Sequence, residues 1–162
     1  MEQQTINSES WKIFIDGASR GNPGPSGVGI CILRNNEFVL KKGFYLGRKT
    51  NNQAEYLALA IALYCFVKIL KRENSTSTYV TIISDSELMI KQMKTIYQVK
   101  NPELAIIKAA IDEMRKGLRC RFEHVLREYN KEADALANYG VDNKKNIPLE
   151  CKKQLESLGV KL

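Results

Sequence analysis

The chain carries four cysteines, one histidine and one tryptophan in 162 residues. Cys31, Cys65, Cys120 and Cys151 are far apart and form no Cys-x-x-Cys pair, so a zinc site is not expected. Cys31 and Cys65 sit inside apolar runs and read as small core residues. Reduced thiols are the default of an intracellular, cytoplasmic compartment. The longest apolar run, Leu57 to Val67, is too short to span a bilayer. The N-terminal MEQQTINSES is polar and lacks the apolar stretch of a signal peptide. No membrane partner, internal repeat or low-complexity block is indicated.

What is present is an ordinary globular composition, with 44% hydrophobic and 27% charged residues. The length suits one domain with a sizeable core. The net charge is +7 and the isoelectric point about 9.2, which suits a polyanionic partner.

The stretch WKIFIDGASRGNPGPSG, from Trp11 to Gly27, organises the rest. An apolar strand, Trp11–Asp16, ends in an acid, which should lie exposed at the strand tip. A turn follows, in which Gly17, Gly21, Gly24 and Gly27 permit unusual backbone angles. Val28–Leu33 and Phe38–Leu46 read as two further strands around an Asn35-Asn36 hairpin turn, giving an antiparallel meander. Thr50, Asn51 and Asn52 are good N-caps for a helix running to about Arg72, apolar nearly all round and so buried on more than one side. Glu55 falls on its packed stripe.

Tyr79–Ser84 is a β-branched strand that, like the first, ends in an acid, Asp85. A strand, a long helix and a strand imply a right-handed crossover, with this strand parallel to the first and both aspartates at one sheet edge. Ser86 caps a helix reaching about Tyr97, and Asn101-Pro102-Glu103 starts another reaching about Lys116. Arg119–Leu126 reads as a fifth strand, and Asn130 as the cap of a helix bearing Asp134 in its first turn. The domain reading is a polar tail over residues 1–10, a catalytic domain over 11–142 and a basic tail over 143–162, with a short helix within Pro148–Leu158.

Four carboxylates thus reach comparable places, at strand ends and in helix first turns. Crowded like charges repel and raise one another's pKa unless a cation intervenes. Hard oxygen ligands suit Mg²⁺, with Mn²⁺ as the alternative, and two such ions can drive phosphodiester hydrolysis.

Asp16-Gly17-Ala18-Ser19 with Gly21-Asn22-Pro23-Gly24-Pro25, Thr50-Asn51-Asn52-Gln53-Ala54-Glu55, Ser84-Asp85-Ser86 and Asn130-Lys131-Glu132-Ala133-Asp134 resemble the four catalytic blocks of type 1 ribonuclease H, over about Trp11 to Val141. The resemblance implies the α/β RNase H-like fold, with a five-stranded mixed sheet flanked by helices. It implies an endonuclease that cuts the RNA strand of an RNA/DNA hybrid, leaving 5′-phosphate and 3′-hydroxyl ends. Asp16 would bridge two metal ions, Glu55 and Asp85 would hold the leaving-group ion, and Asp134 the water-activating ion. Ser19, Asn22, Thr50, Asn51, Asn52 and Gln53 would meet the hybrid.

Two departures stand out. No histidine lies in Leu126-Arg127-Glu128-Tyr129, where many members carry a catalytic one, so Arg127 or Glu128 is the auxiliary candidate. His124 alternates with Cys120 and Phe122 and reads as structural. The basic, tryptophan-bearing handle of some members is also absent, leaving Lys91, Lys94, Lys100, Arg119, Arg121 and the tail lysines for hybrid affinity. The rivals are a nuclease of the same architecture with another substrate and a silent binding module. The expected state is a monomer, with the tail as a candidate dock for a protein partner.

Overall fold

The computed structural model describes residues 9–77 and 79–162. Most of the expected 1–10 tail therefore lies outside the described residues. The elements in chain order are β1 (Trp11–Ser19), β2 (Gly24–Arg34), β3 (Glu37–Lys49), α1 (Asn51–Arg72), β4 (Tyr79–Ser84), α2 (Glu87–Met93), α3 (Pro102–Met114), β5 (Arg119–His124), α4 (Lys131–Asn143) and α5 (Leu149–Ser157). A short 3₁₀ turn, Arg127–Tyr129, leads into α4. The sheet order is β3-β2-β1-β4-β5. The first three strands are antiparallel, and β1, β4 and β5 run parallel, as the meander and crossover require.

Asn35 and Asn36 turn the β2–β3 hairpin with φ of 51° and 65°, the left-handed angles asparagine tolerates. The expected Thr50 cap forms in full. Its hydroxyl accepts from the Gln53 amide (3.1 Å), and the Gln53 side chain accepts from the Thr50 N–H (2.9 Å). α1 then carries Leu57, Leu59, Ile61, Leu63 and Phe66 into the core on every side. Each such side chain contributes roughly 1.5–3 kcal/mol when buried. Among the described residues α1 is the one helix long and apolar enough to cross a bilayer, and 67% of its most apolar window is buried inside the protein. Asn101 caps α3 by accepting from the amides of Glu103 and Leu104. Cys151 and Leu155 of α5, and Val160 beyond it, join the core.

Several boundaries differ from the sequence reading. β1 does not stop at Asp16 but stays paired with β2 to Ser19↔Ser26, so the turn is confined to residues 20–23. β2 and β3 are longer than expected at both ends because their register holds from Gly24↔Lys49 to Arg34↔Glu37. α2 ends at Met93, where Thr95 takes a left-handed φ of 61°. β5 ends at His124, which is exposed, whereas Phe122 is buried.

The glycines also act differently from expectation. Of Gly17, Gly21, Gly24 and Gly27, only Gly21 has a positive φ (97°). Gly17 is required by proximity: a Cβ there would lie 2.2 Å from the Ala54 carbonyl carbon at the start of α1. On the opposite face of the sheet, a Cβ at Gly29 would lie 1.8 Å from the Ala133 carbonyl oxygen, and one at Gly43 2.0 Å from that of Leu136. α4 is therefore seated on the backbone of β2 and β3.

Candidate active site

β1 and β4 bring the first two acids together. Their parallel pairing ends at Ile15↔Ser84, and Asp16 and Asp85 follow. The Gly17 contact brings in the N-terminus of α1, and the Gly17 N–H donates to the Glu55 carboxylate. One carboxylate oxygen from each of Asp16, Glu55 and Asp85 lies within 4.8 Å of the others. Asp134, on the first turn of α4, adds its charge and a side-chain hydrogen bond to Asp16 but lies outside that tight trio. Its Oδ1 is 3.7 Å from Nη2 of the exposed Arg127.

Asp16 is not an exposed strand tip but is 4% exposed, because β2 continues past it on one side and α4 covers it. Burial, then the charges of Asp85 and Asp134, push its carboxyl from 3.8 up to about 8, against the opposing pull of Arg127. Burial, followed by Asp16 and Asp85, raises Glu55 well above the ordinary range, while the Gly17 N–H opposes. Asp85 is raised chiefly by burial, with Arg127 opposing. Oε2 of Glu55 is buried with no hydrogen-bond partner. Three converging acids, one with an orphaned oxygen, form an all-oxygen donor set that fits a hard divalent cation.

The other expected residues line the neighbouring rim. The Ser19 N–H donates to Asn51 Oδ1 (3.0 Å), and the Asn51 N–H donates to Asn22 Oδ1 (3.1 Å). The Ser19 hydroxyl donates to the Lys49 carbonyl (2.9 Å). The turn before β2 and the start of α1 are thus one bonded unit. Asn52 is exposed beside it. Gln53, besides capping, donates to Glu103 Oε2 at the head of α3 (2.5 Å). Glu128 lies on the far side of its turn, lining a cavity of about 290 Å³ with Phe14, Leu33 and Phe38.

Asn130 is placed differently from the sequence reading. Its side chain does not cap α4. It is 2% exposed, and its Nδ2 donates to the Ile15 carbonyl (2.8 Å). Nothing in its local sequence distinguishes this contact from an ordinary cap, because the partner is 115 residues away.

Comparison with known proteins agrees with this geometry. A reverse transcriptase-like family matches residues 14–140. Ribonuclease HI of Halobacterium salinarum is 36% identical over 132 residues, covering 80% of this chain and 63% of the relative. The chain thus spans less than two thirds of that protein. Ribonuclease H of Pseudomonas entomophila is 32% identical over 155 residues, covering 83% of this chain and 95% of the relative. The crystal structure of LC11-RNase H1 in complex with an RNA/DNA hybrid superposes with a TM-score of 0.78 at 34% identity, over 83% of this chain and 98% of that one. Matched in sequence along nearly the whole of one relative and in fold along nearly the whole of another, the chain belongs to the type 1 ribonuclease H family.

Proposed function

We propose that the protein is a cytoplasmic endoribonuclease that hydrolyses the RNA strand of RNA/DNA hybrids, leaving 5′-phosphate and 3′-hydroxyl ends. The observation that carries the reading is the convergence of Asp16, Glu55 and Asp85 within 4.8 Å, with Asp134 beside Asp16. The hybrid bound by LC11-RNase H1 supports the choice of substrate.

Asp16, central to the group, would serve as a ligand to both of two divalent cations, with Glu55 and Asp85 helping to hold one and Asp134 the other. Two Mg²⁺ ions, with Mn²⁺ as a substitute, supply an activated water and stabilise the leaving 3′ oxygen when bound. Three of the acids stand on regular elements, Asp16 on β1, Glu55 on α1 and Asp134 on α4, and Asp85 directly follows β4, so the chain itself brings them together. Burial and the neighbouring acids hold the Asp16, Glu55 and Asp85 carboxyls above their ordinary range, and a cation bound among them would favour their charged forms.

The bonded unit of Ser19, Asn22 and Asn51, with Thr50, Asn52 and Gln53, receives the hybrid backbone. Its amides and hydroxyls suit phosphate oxygens and the 2′-hydroxyls that distinguish RNA from DNA. Arg127 places a permanent positive charge beside Asp134 and stabilises the phosphate as negative charge builds.

The test is an end-labelled hybrid incubated with Mg²⁺ or Mn²⁺, beside RNA and DNA duplexes and an Asp16→Asn control. Metal-dependent cutting of the hybrid's RNA strand, lost in the control, is expected. Folded protein that cuts nothing with either ion overturns the reading in favour of a silent binding module. Cutting of the DNA duplex moves it to another nuclease of the same fold.

A further inference from the structure

Asn130 carries an unusual cost. It stands at the N-cap position of α4, where its side chain could satisfy the helix's free amides, and it does not do so. It is buried, and its Oδ1 has no partner. An unpaired buried acceptor is unfavourable, and such groups in a native structure call for a reason.

Its one side-chain bond shows what is gained. Nδ2 donates to the carbonyl of Ile15, the last β1 residue paired with β4 and the residue before Asp16. The backbone carbonyl of Asn130 accepts from the amide of Asp134 at 3.1 Å. One residue therefore ties the strand that carries Asp16 to the helical turn that carries Asp134. Apart from the Asp16–Asp134 contact itself, the remaining β1–α4 approach is by packing, which fixes the height of the helix over the sheet but not its rotation. A directional bond at the head of α4 fixes that rotation.

We infer that Asn130 is a positioning residue, which sets the Asp16–Asp134 spacing and so the affinity of the cation site they share. The inference rests on the proposed role of Asp134 as a metal ligand. Outer groups that orient ligands typically contribute about 10–100-fold to metal affinity. The buried orphan oxygen is the accepted cost of placing an amide donor there.

The test uses Asn130→Ala and Asn130→Leu in the full chain. The leucine variant removes the orphan oxygen along with the donor, which keeps the fold stable if alanine does not. Mn²⁺ binding is measured by calorimetry on protein saturated with a hybrid whose RNA strand has hydrolysis-resistant linkages. Weakening of about tenfold in the variants is expected, with hybrid affinity unchanged. In an Asp134→Asn background the same Asn130 substitutions should have no further effect on Mn²⁺ binding, because the residue they position is gone. Unchanged Mn²⁺ affinity in a folded variant, or an equal loss in the Asp134→Asn background, overturns the inference. Failure of the unsubstituted protein to bind the hybrid instead overturns the functional reading on which it rests.

Discussion

Ile15 and Ser84 are the last residues paired across the parallel strands β1 and β4, and the next residue in each strand's direction is an aspartate. The two acids meet because the pairing stops one residue short of them. Asp16 nevertheless stays in register with Gly29 of β2, so it is held on one side and free on the other. That arrangement has a measurable cost when no cation is bound.

A carboxyl raised from 3.8 to about 8 is protonated in the folded protein where the unfolded chain has already ionised. The folded state then binds more protons, so metal-free stability falls as pH rises from about 4 to about 8. Asp16→Asn removes that ionisation and its repulsion with Asp85 and Asp134. The metal-free variant should gain on the order of 2 kcal/mol at pH 7.5, or roughly 4–8 °C in Tm. Calorimetry without divalent ions should show the gain shrinking toward pH 4; an equal gain at every pH would contradict it.

Gly29→Ala tests the seating of α4. The new Cβ would meet the Ala133 carbonyl oxygen at 1.8 Å, and neither backbone can yield without moving the helix. A loss of about 1–3 kcal/mol or more is expected in chemical denaturation. Turnover should fall beyond what the unfolded fraction explains, because Ala133 immediately precedes Asp134.

Thr50→Ala separates binding from chemistry. It removes the cap of α1, at about 1 kcal/mol of stability, and a hydroxyl at the proposed hybrid rim. KM for the hybrid should rise several-fold with kcat nearly unchanged. A fall in kcat at constant KM would place Thr50 in the chemical step instead.

Arg127→Ala should lower kcat about tenfold and move the acid limb of the pH profile upward, since its positive charge opposes the rise of the Asp16 and Asp85 carboxyls. Unchanged turnover would remove Arg127 from the reaction. An acid limb that stays in place would show that its charge does not act on those carboxyls.

The sequence made the strand and helix pattern legible because hydrophobic period and capping are local signals. Trp11–Asp16, Tyr79–Ser84 and the Thr50 cap needed only neighbouring residues to be recognised. The boundaries it missed depend on distant partners. β1 runs on to Ser19 because Ser26 pairs with it, and β5 stops at His124, where its pairing with β4 ends. The four acids were visible from their motif blocks. The tightness of three of them, and the position of Asp134 at the margin, depended on how closely helices approach strands. Asn130 looked like a cap because its true partner is remote in sequence. Gly17 looked like a turn residue because a missing side chain gives the same letter whether it frees the backbone or lets another chain segment touch it.

The glycine contacts under α4 have a thermal consequence. Where Gly29 and Gly43 meet the backbone of Ala133 and Leu136, the strand residues bring no side chains whose rotamers must be frozen or can be thawed. Heating loosens ordinary packing by populating alternative side-chain states, and at this seam the strands supply none. The height of Asp134 above the sheet should therefore be among the last dimensions of the molecule to soften on warming, with the rim of exposed Asn22, Asn51 and Asn52 softening first.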